Sequence, residues 1–342
     1  MSEDESMVQS IVPLLRPHFI NKASRFFKDN VNEFEFIGTA TKARQGASGK
    51  VLISKVHYET EHGRGSEDIA LKFFENPVGA VTEIKNAMNL EIKFRAAPEF
   101  GIPKVIYAST KDPVLIIYEG INATNYDEIE IAGKAKDAGR LLSTIHGPLT
   151  KTVDSELYRF LAQKIGTYIA ETGMEKDIAE GLGFYFQRIE GSLSGCNPFS
   201  DFHQSNVMIA EANDIISKVY IIDPEFMQVG SFDRFEDIGT FFGNQMFLEF
   251  TATGAITKGI EDLRDFLTGY QVKNLENGGM RLVEMYPKGT TLPFFIGQWA
   301  LMDAIDIALN RGGTITSGEA FARIQFVQFV LDPANESAFR FG

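Results

Sequence analysis

A single cysteine, Cys196, in 342 residues leaves nothing for an intrachain disulfide framework or a cysteine-based zinc centre. Lying five residues before Asp201, it reads as an incidental buried thiol. Long apolar runs are also missing. No stretch approaches the ~18 consecutive apolar residues of a membrane helix, and the start, Met-Ser-Glu-Asp-Glu-Ser, lacks the basic and apolar regions of a signal peptide. A soluble, cytoplasmic protein that engages no membrane is expected. Positive charge is scarce: 33 Lys and Arg stand against 46 Asp and Glu, a formal net charge of −13 with no basic cluster, so phosphate backbones are repelled and nucleic acid is excluded as a partner. The acidity suits a cationic substrate such as an amine, but the carboxylates are spread along the chain, where most are simply solvated. There is no internal repeat and no low-complexity segment.

Core material is plentiful. With 44% hydrophobic residues and 29 phenylalanines, the chain can fill more than one core. Its length exceeds the ~250 to 300 residues at which single cores stop growing, so two lobes are expected. Chemistry concentrates between Asn197 and Gly239. There Asp201 is followed five residues later by Asn206, and the apolar run Val219-Tyr-Ile-Ile ends at Asp223-Pro224-Glu225-Phe226. ATP-dependent phosphoryl transfer needs this order: one carboxylate to orient the attacking hydroxyl, then an amide and a second carboxylate to hold magnesium against the phosphates.

The segments Ser200-Asp-Phe-His-Gln-Ser-Asn206, Ile221-Ile-Asp-Pro-Glu-Phe226 and Phe235-Glu-Asp237-Ile-Gly239 resemble the catalytic core of the aminoglycoside phosphotransferase and choline kinase superfamily. The Asp-Pro-Glu-Phe and Asp-Ile-Gly pieces are most similar to methylthioribose kinases. The resemblance implies an α+β, bilobal, protein-kinase-like fold, with a small β-rich N-lobe over residues 33–119 and a larger, mainly helical C-lobe over 120–342, after an N-terminal helical segment at 1–32. It makes Asp201 the catalytic-loop aspartate, Asn206 and Asp223 the magnesium ligands and Asp237 a brace of the catalytic loop, with Glu225 shaping the site near the metals. The implied cofactors are ATP and magnesium, and the implied partner is a small molecule offering a hydroxyl. One departure stands out: Phe199-Ser200 occupies the place where the family writes His-Gly. That keeps open a second reading, a pseudokinase that binds nucleotide or a protein without turnover.

Upstream motifs fall in the same order. Phe34–Ala40 and Val51–Tyr58 have strand character, and Gln45-Gly46-Ala-Ser48-Gly49-Lys50 between them is small enough for backbone N–H groups to approach a phosphate. A plain hairpin link is the alternative. Lys72 sits inside the apolar run Ile69–Phe74, where an ammonium needs a partner. The resemblance supplies phosphate oxygens and a glutamate of the next helix, expected over Val81–Ala96, with Glu91 as first choice and Glu83 as second. The run Val114–Ile121 reads as a buried strand leading into the hinge, so the adenine is expected near Glu119 and Ile121. His146 closes a helix resembling the family's Leu-x-x-Leu-His and reads as a packed core histidine.

Elsewhere the periodicity predicts helices over 156–172, 177–189, 256–275, 295–310 and 318–331. Trp299, Asp303 and Asp306 share one helical face, as an acceptor wall or as ordinary core and surface residues. Before the first strand, Ile11, Val12, Leu15, Phe19, Ala23, Phe26 and Phe27 recur at helical spacing, consistent with a leading helix or helix pair packed on the body. The acceptor is read as a sugar-like alcohol, methylthioribose being one option, with an aminoglycoside or amine alcohol as the alternative. Oligomeric state is not legible.

Overall fold

The computed structural model describes residues 31–46, 49–60, 62–148, 195–196, 198–227, 232–285, 291–310 and 318–340. The chain divides into two compact units. Met1–Thr124, Ala210–Ala212 and Tyr220–Glu225 form the first, and Asn125–Ile209, Asn213–Val219 and Phe226–Gly342 form the second. The division falls between Thr124 and Asn125 rather than after residue 119, and it assigns Asp223 to the first unit.

In the first unit, β1 (Val31–Gly46), β2 (Gly49–Thr60) and β3 (Gly63–Phe74) run antiparallel in sequence order, followed by β4 (Val105–Ser109) and β5 (Leu115–Glu119). The sheet order is β1-β2-β3-β5-β4. Period-two alternation sets the inward face of β2: Leu52, Ser54 and Val56 are buried while Lys55 is exposed. In β5, Leu115, Ile116 and Ile117 are all fully buried, as befits an inner strand covered on both faces. Lys72 pairs across to Val51 on β2 and Ile116 on β5, so it lies well inside the sheet.

Helix α1 spans Pro77–Phe94, four residues earlier at its start than the expected Val81. Asn76 caps it by accepting from Gly79 N–H at 3.1 Å, and Pro77 fits the first turn, where its missing N–H costs nothing. Its buried face is Ala80, Glu83, Ala87, Leu90 and Phe94, a spacing of three and four residues.

The second unit is mainly helical: α2 (Lys134–His146), α3 (Arg234–Thr253), α4 (Thr257–Glu276), α5 (Leu282–Met285), α6 (Thr291–Asn310) and α7 (Gly318–Leu331). The expected helices over 256–275, 295–310 and 318–331 correspond to α4, α6 and α7. Those over 156–172 and 177–189, and the leading segment 11–27, lie outside the described residues. Helix α3 was not expected as a helix; Asp233 caps it through Phe235 N–H at 2.8 Å. Helices α2 and α4 approach so closely that a Cβ on Gly139 would lie 2.0 Å from Phe266 O, and one on Gly269 1.9 Å from Lys136 O. Only glycine allows that backbone contact.

Phenylalanine fills the centre of this unit. Phe202 stacks on Phe241 with ring centroids 5.1 Å apart, and Phe242 meets Phe266 edge-on at 5.3 Å. Phe199 and Phe202 are both fully buried, and each such ring contributes ~1.5–3 kcal/mol of burial energy to anchoring the loop between them. Strands β6 (Val207–Ala212) and β7 (Ile215–Ile221) follow that loop. The two-residue link Asn213-Asp214 has φ of 55° and 60°, the left-handed pair of a tight hairpin turn.

Candidate functional site

Within the first unit, the buried Lys72 ammonium is surrounded by carboxylates. Nζ donates to Glu83 Oε2 at 2.6 Å, to Glu225 Oε2 at 3.0 Å and to Asp223 Oδ1, and it lies 5.1 Å from the Phe74 ring centroid. Tyr118 Oη donates to the other oxygen of Glu83. Asn86, one turn beyond Glu83 on α1, donates to Pro224 O at 2.8 Å. One helix face thus holds both the lysine and the Asp-Pro-Glu turn. Asp223 itself takes a left-handed φ of 60°, which aspartate tolerates better than most residues.

The cluster sets one ammonium against three carboxyl groups. Burial pulls the Lys72 ammonium down, but Glu83 and Asp223 outweigh it and leave its pKa raised, so it stays protonated. Burial pushes the Glu83 carboxyl up to about 7 against the pull of Lys72. Burial and the neighbouring Glu83 push the Tyr118 phenol well above its ordinary range. Glu83, Asp223 and Glu225 can each offer an oxygen within 4.8 Å of the others, a hard-donor set that suits magnesium.

The expectation that Glu91 partners Lys72 is corrected. Glu91 is exposed, whereas Glu83 lies on the buried face with Ala80, Ala87 and Leu90. The periodicity of the helix already separated the two, since Glu91 falls off the apolar face. Gly46 and Gly49 face one another as the last pair of the β1–β2 ladder; Ser48 lies outside the described residues. The Glu119 N–H donates to Lys104 O at 2.9 Å and the Gly120 N–H to Asp68 O at 2.6 Å. The N–H of Glu119 is thus already used, and Ile121 lies two residues beyond the end of β5.

In the second unit, the loop from Pro198 to Asn206 presents Asp201 with its side chain about a third exposed. Asn206 Nδ2 donates to Asp201 O at 3.0 Å and to Asp201 Oδ2 at 3.2 Å, so a cation at Asn206 would be met by the amide oxygen. His203 Nε2 is 3.5 Å from Asp201 Oδ2, and its Nδ1 is 2.9 Å from Ser205 Oγ.

The loop is fastened from beneath. Asp237, in the first turn of α3 and fully buried, accepts from Phe199 N–H at 2.7 Å, from Ser200 N–H at 2.8 Å and from His146 Nε2 at 2.8 Å. Arg234 donates to Tyr270 Oη at 3.0 Å, and Tyr270 Oη lies 2.8 Å from His146 Nδ1. With Arg234 donating to it, the phenol is set to donate to Nδ1, placing the imidazole proton on Nε2, where Asp237 accepts it. Ser200 holds a left-handed φ of 67°, a conformation glycine takes without cost and serine does not. Phe199 thus anchors the loop in the core, and Asp237 holds the backbone of both Phe199 and Ser200. Cys196, just before the loop, is buried, and burial pushes its thiol well above the ordinary range.

Two further sequence-selected residues have packing partners. Asp303 pairs with Arg323, whose guanidinium lies 4.4 Å from the Phe247 ring centroid, and Trp299 covers Gly243. Among the described residues, no helix is long and apolar enough to cross a membrane.

No family model matches the chain, and no curated protein matches its sequence. Solved structures do. A choline/ethanolamine kinase family protein from Mesorhizobium loti matches with a TM-score of 0.52 at 14% identity, over 89% of this chain and 94% of that one. A spectinomycin phosphotransferase in complex with ADP and spectinomycin matches at 0.46 and 15% identity, over 96% and 98%. The choline kinase LicA from Streptococcus pneumoniae matches at 0.45 and 15%, over 93% and 98%. Identities this low speak to architecture alone: this α+β chain shares its fold with the choline/ethanolamine kinase family structure.

Proposed function

We propose that the protein is an ATP-dependent small-molecule kinase. The observation that carries this reading is the buried Lys72 held by Glu83 and by Asp223, 151 residues further along the chain. A strand lysine paired with a helix glutamate and a carboxylate at the end of a later strand is the phosphate-binding half of a phosphotransferase. Magnesium, when bound at Asp223 and Glu225, would neutralise phosphate charge.

In the proposed reaction, Lys72 releases Asp223 and donates to nucleotide phosphate oxygens, with Glu83 keeping the ammonium in place. The Gly46–Gly49 link covers the phosphates, and the adenine lies against the Glu119 carbonyl and the Ile121 backbone. Asp201 accepts the proton of the acceptor hydroxyl as its oxygen bonds to the γ-phosphorus. The bond from that phosphorus to the β–γ bridging oxygen breaks, and ADP leaves. Positioning and charge neutralisation supply most of the rate. The fastening of the loop by Asp237 and Phe199 supports turnover over a purely binding role.

The acceptor we favour is a sugar-like alcohol of the methylthioribose type, on the strength of Asp223-Pro-Glu-Phe226. An amine alcohol is the second reading, favoured by the likeness to a choline/ethanolamine kinase family structure. Transfer of γ-labelled phosphate from magnesium-ATP to methylthioribose, choline and ethanolamine, with Asp201→Asn as the control, separates them. Label entering none of these or any metabolite of a cell extract, despite measurable ATP binding, would overturn the kinase reading.

A further inference from the structure

The loop that presents Asp201 is fastened at its start by Asp237, which holds the N–H groups of Phe199 and Ser200. Its far end is a single 3-10 turn, Gln204–Asn206, whose start has no side-chain cap. A turn this short has few hydrogen bonds of its own and does not keep its shape unaided. Two side chains of the second unit grip it. Asn125 Nδ2 donates to Ser205 O at 2.9 Å, and Gln204 Nε2 donates to Gln245 Oε1 on α3 at 2.5 Å. Gln245 Nε2 in turn donates to Asp262 Oδ2 on α4 at 2.6 Å.

This relay has one direction. A carboxylate only accepts hydrogen bonds, so Asp262 draws the NH2 of Gln245 toward itself and turns the amide oxygen toward Gln204, which must answer with its own NH2. Two amides alone could join in either sense; the carboxylate at the end selects one and strengthens the bonds by its charge. We propose that Gln245, oriented by Asp262, is a positioning residue for phosphoryl transfer. Through Gln204 it holds the turn between Asp201 and Asn206, and so fixes the Asp201 carboxylate, to which Asn206 Nδ2 also donates, in line for the acceptor hydroxyl. The effect on rate rests on the kinase reading; the tether itself does not.

Moving the carboxylate one step along the relay tests this. Gln245→Glu sets two carboxylates against each other. Combined with Asp262→Asn it keeps every bond at unchanged net charge, the new amide donating to the new carboxylate. Two readouts are taken on the full-length protein. One is hydrogen exchange of the His203, Asn206 and Val207 amides, all hydrogen-bonded within the loop. The other is turnover and KM for ATP in transfer of γ-labelled phosphate from magnesium-ATP to methylthioribose, choline, ethanolamine or a cell extract. Gln245→Glu should speed exchange about tenfold and lower turnover by about as much, the worth of one hydrogen bond, with KM for ATP within about twofold. The double variant should recover both. Gln204→Leu, which leaves Gln245 and Asp262 in place, should reproduce the loss and keeps the test open if Gln245→Glu alone does not fold. A double variant as impaired as Gln245→Glu, or loop exchange unmoved by Gln204→Leu, would overturn the proposal. If nothing takes label from the wild type, the kinase reading falls and the effect on rate with it, while recovery or non-recovery of exchange upholds or overturns the tether by itself.

Discussion

Asp237→Asn exchanges a single oxygen for an NH2 group at the point where the catalytic loop is fastened. Oδ2 alone accepts from both Phe199 N–H and His146 Nε2, and Oδ1 accepts from Ser200 N–H. An asparagine in the same place can satisfy one backbone N–H through its oxygen and turns a donor toward the other. The histidine can change tautomer to accept that donor, but one buried N–H is left without an acceptor. Losing a charge-assisted bond costs about 1.5–3 kcal/mol and orphaning the N–H about 1–3, so the second unit should lose roughly 3–5 kcal/mol. The one tryptophan of the chain reports on this unit: a Cβ on Gly243 would lie 2.5 Å from the Trp299 ring, so the indole sits against the same helix that carries Asp237. Urea unfolding followed by Trp299 fluorescence should move its midpoint down by about 1–2 M. Under the proposed function, kcat should fall while ATP affinity holds. A midpoint shift below about 0.3 M with unchanged turnover would refute the idea that Asp237 holds the loop.

Other variants probe the remaining contacts. Glu83→Gln should lower kcat/KM for ATP, whereas Glu91→Gln, at an exposed position, should change stability by no more than ~0.5 kcal/mol and leave turnover alone; the reverse pattern would restore Glu91 as the partner of Lys72. Asp201→Asn should leave nucleotide affinity intact and cut transfer by about 10²–10⁴, measured by product formation under saturating ATP. Asp223→Asn should raise the magnesium concentration needed for half-maximal turnover, and an unchanged requirement would remove Asp223 from the metal site. Ser200→Gly should be tolerated, while Ser200→Val, forcing a β-branched side chain to φ of 67°, should cost at least ~1–2 kcal/mol in thermal or urea unfolding.

The parts of the fold legible in the sequence are those whose apolar spacing is uninterrupted. The alternation of Val51–Tyr58 and the apolar run ending at Glu119 mark β2 and β5, and the periods of α4, α6 and α7 emerge within a few residues of their ends. Helix α3 was hidden because Arg234 and Asp237, both buried in its first turn, put charges where a core stripe should be apolar. Asp233 as a cap, followed by Phe235, Ile238, Phe241, Phe242 and Met246, was the available signal. The same blind spot produced the choice of Glu91: a buried carboxylate violates the usual partition of charge, so Glu83 looked like a surface residue until its place beside Ala80 and Leu90 is counted. The order Lys72, Asp201, Asn206, Asp223 was legible because each sits at a break in an apolar run. The left-handed Ser200 was not, since serine carries no conformational signature comparable to glycine.

Cys196 offers a use unrelated to chemistry at the site. Because it is the lone thiol of the chain, buried next to the loop and pushed toward its unreactive protonated form, reagents that modify thiolates meet a folded molecule that behaves as if cysteine-free. Reporter groups can then be attached at engineered surface cysteines without first removing the native one. The slow labelling of Cys196 that remains reports on the second unit: it requires the segment ahead of Asp201 to lift from its Phe232 partner strand, and its rate reads the frequency of that opening when reagent is in large excess and the open fraction when it is scarce.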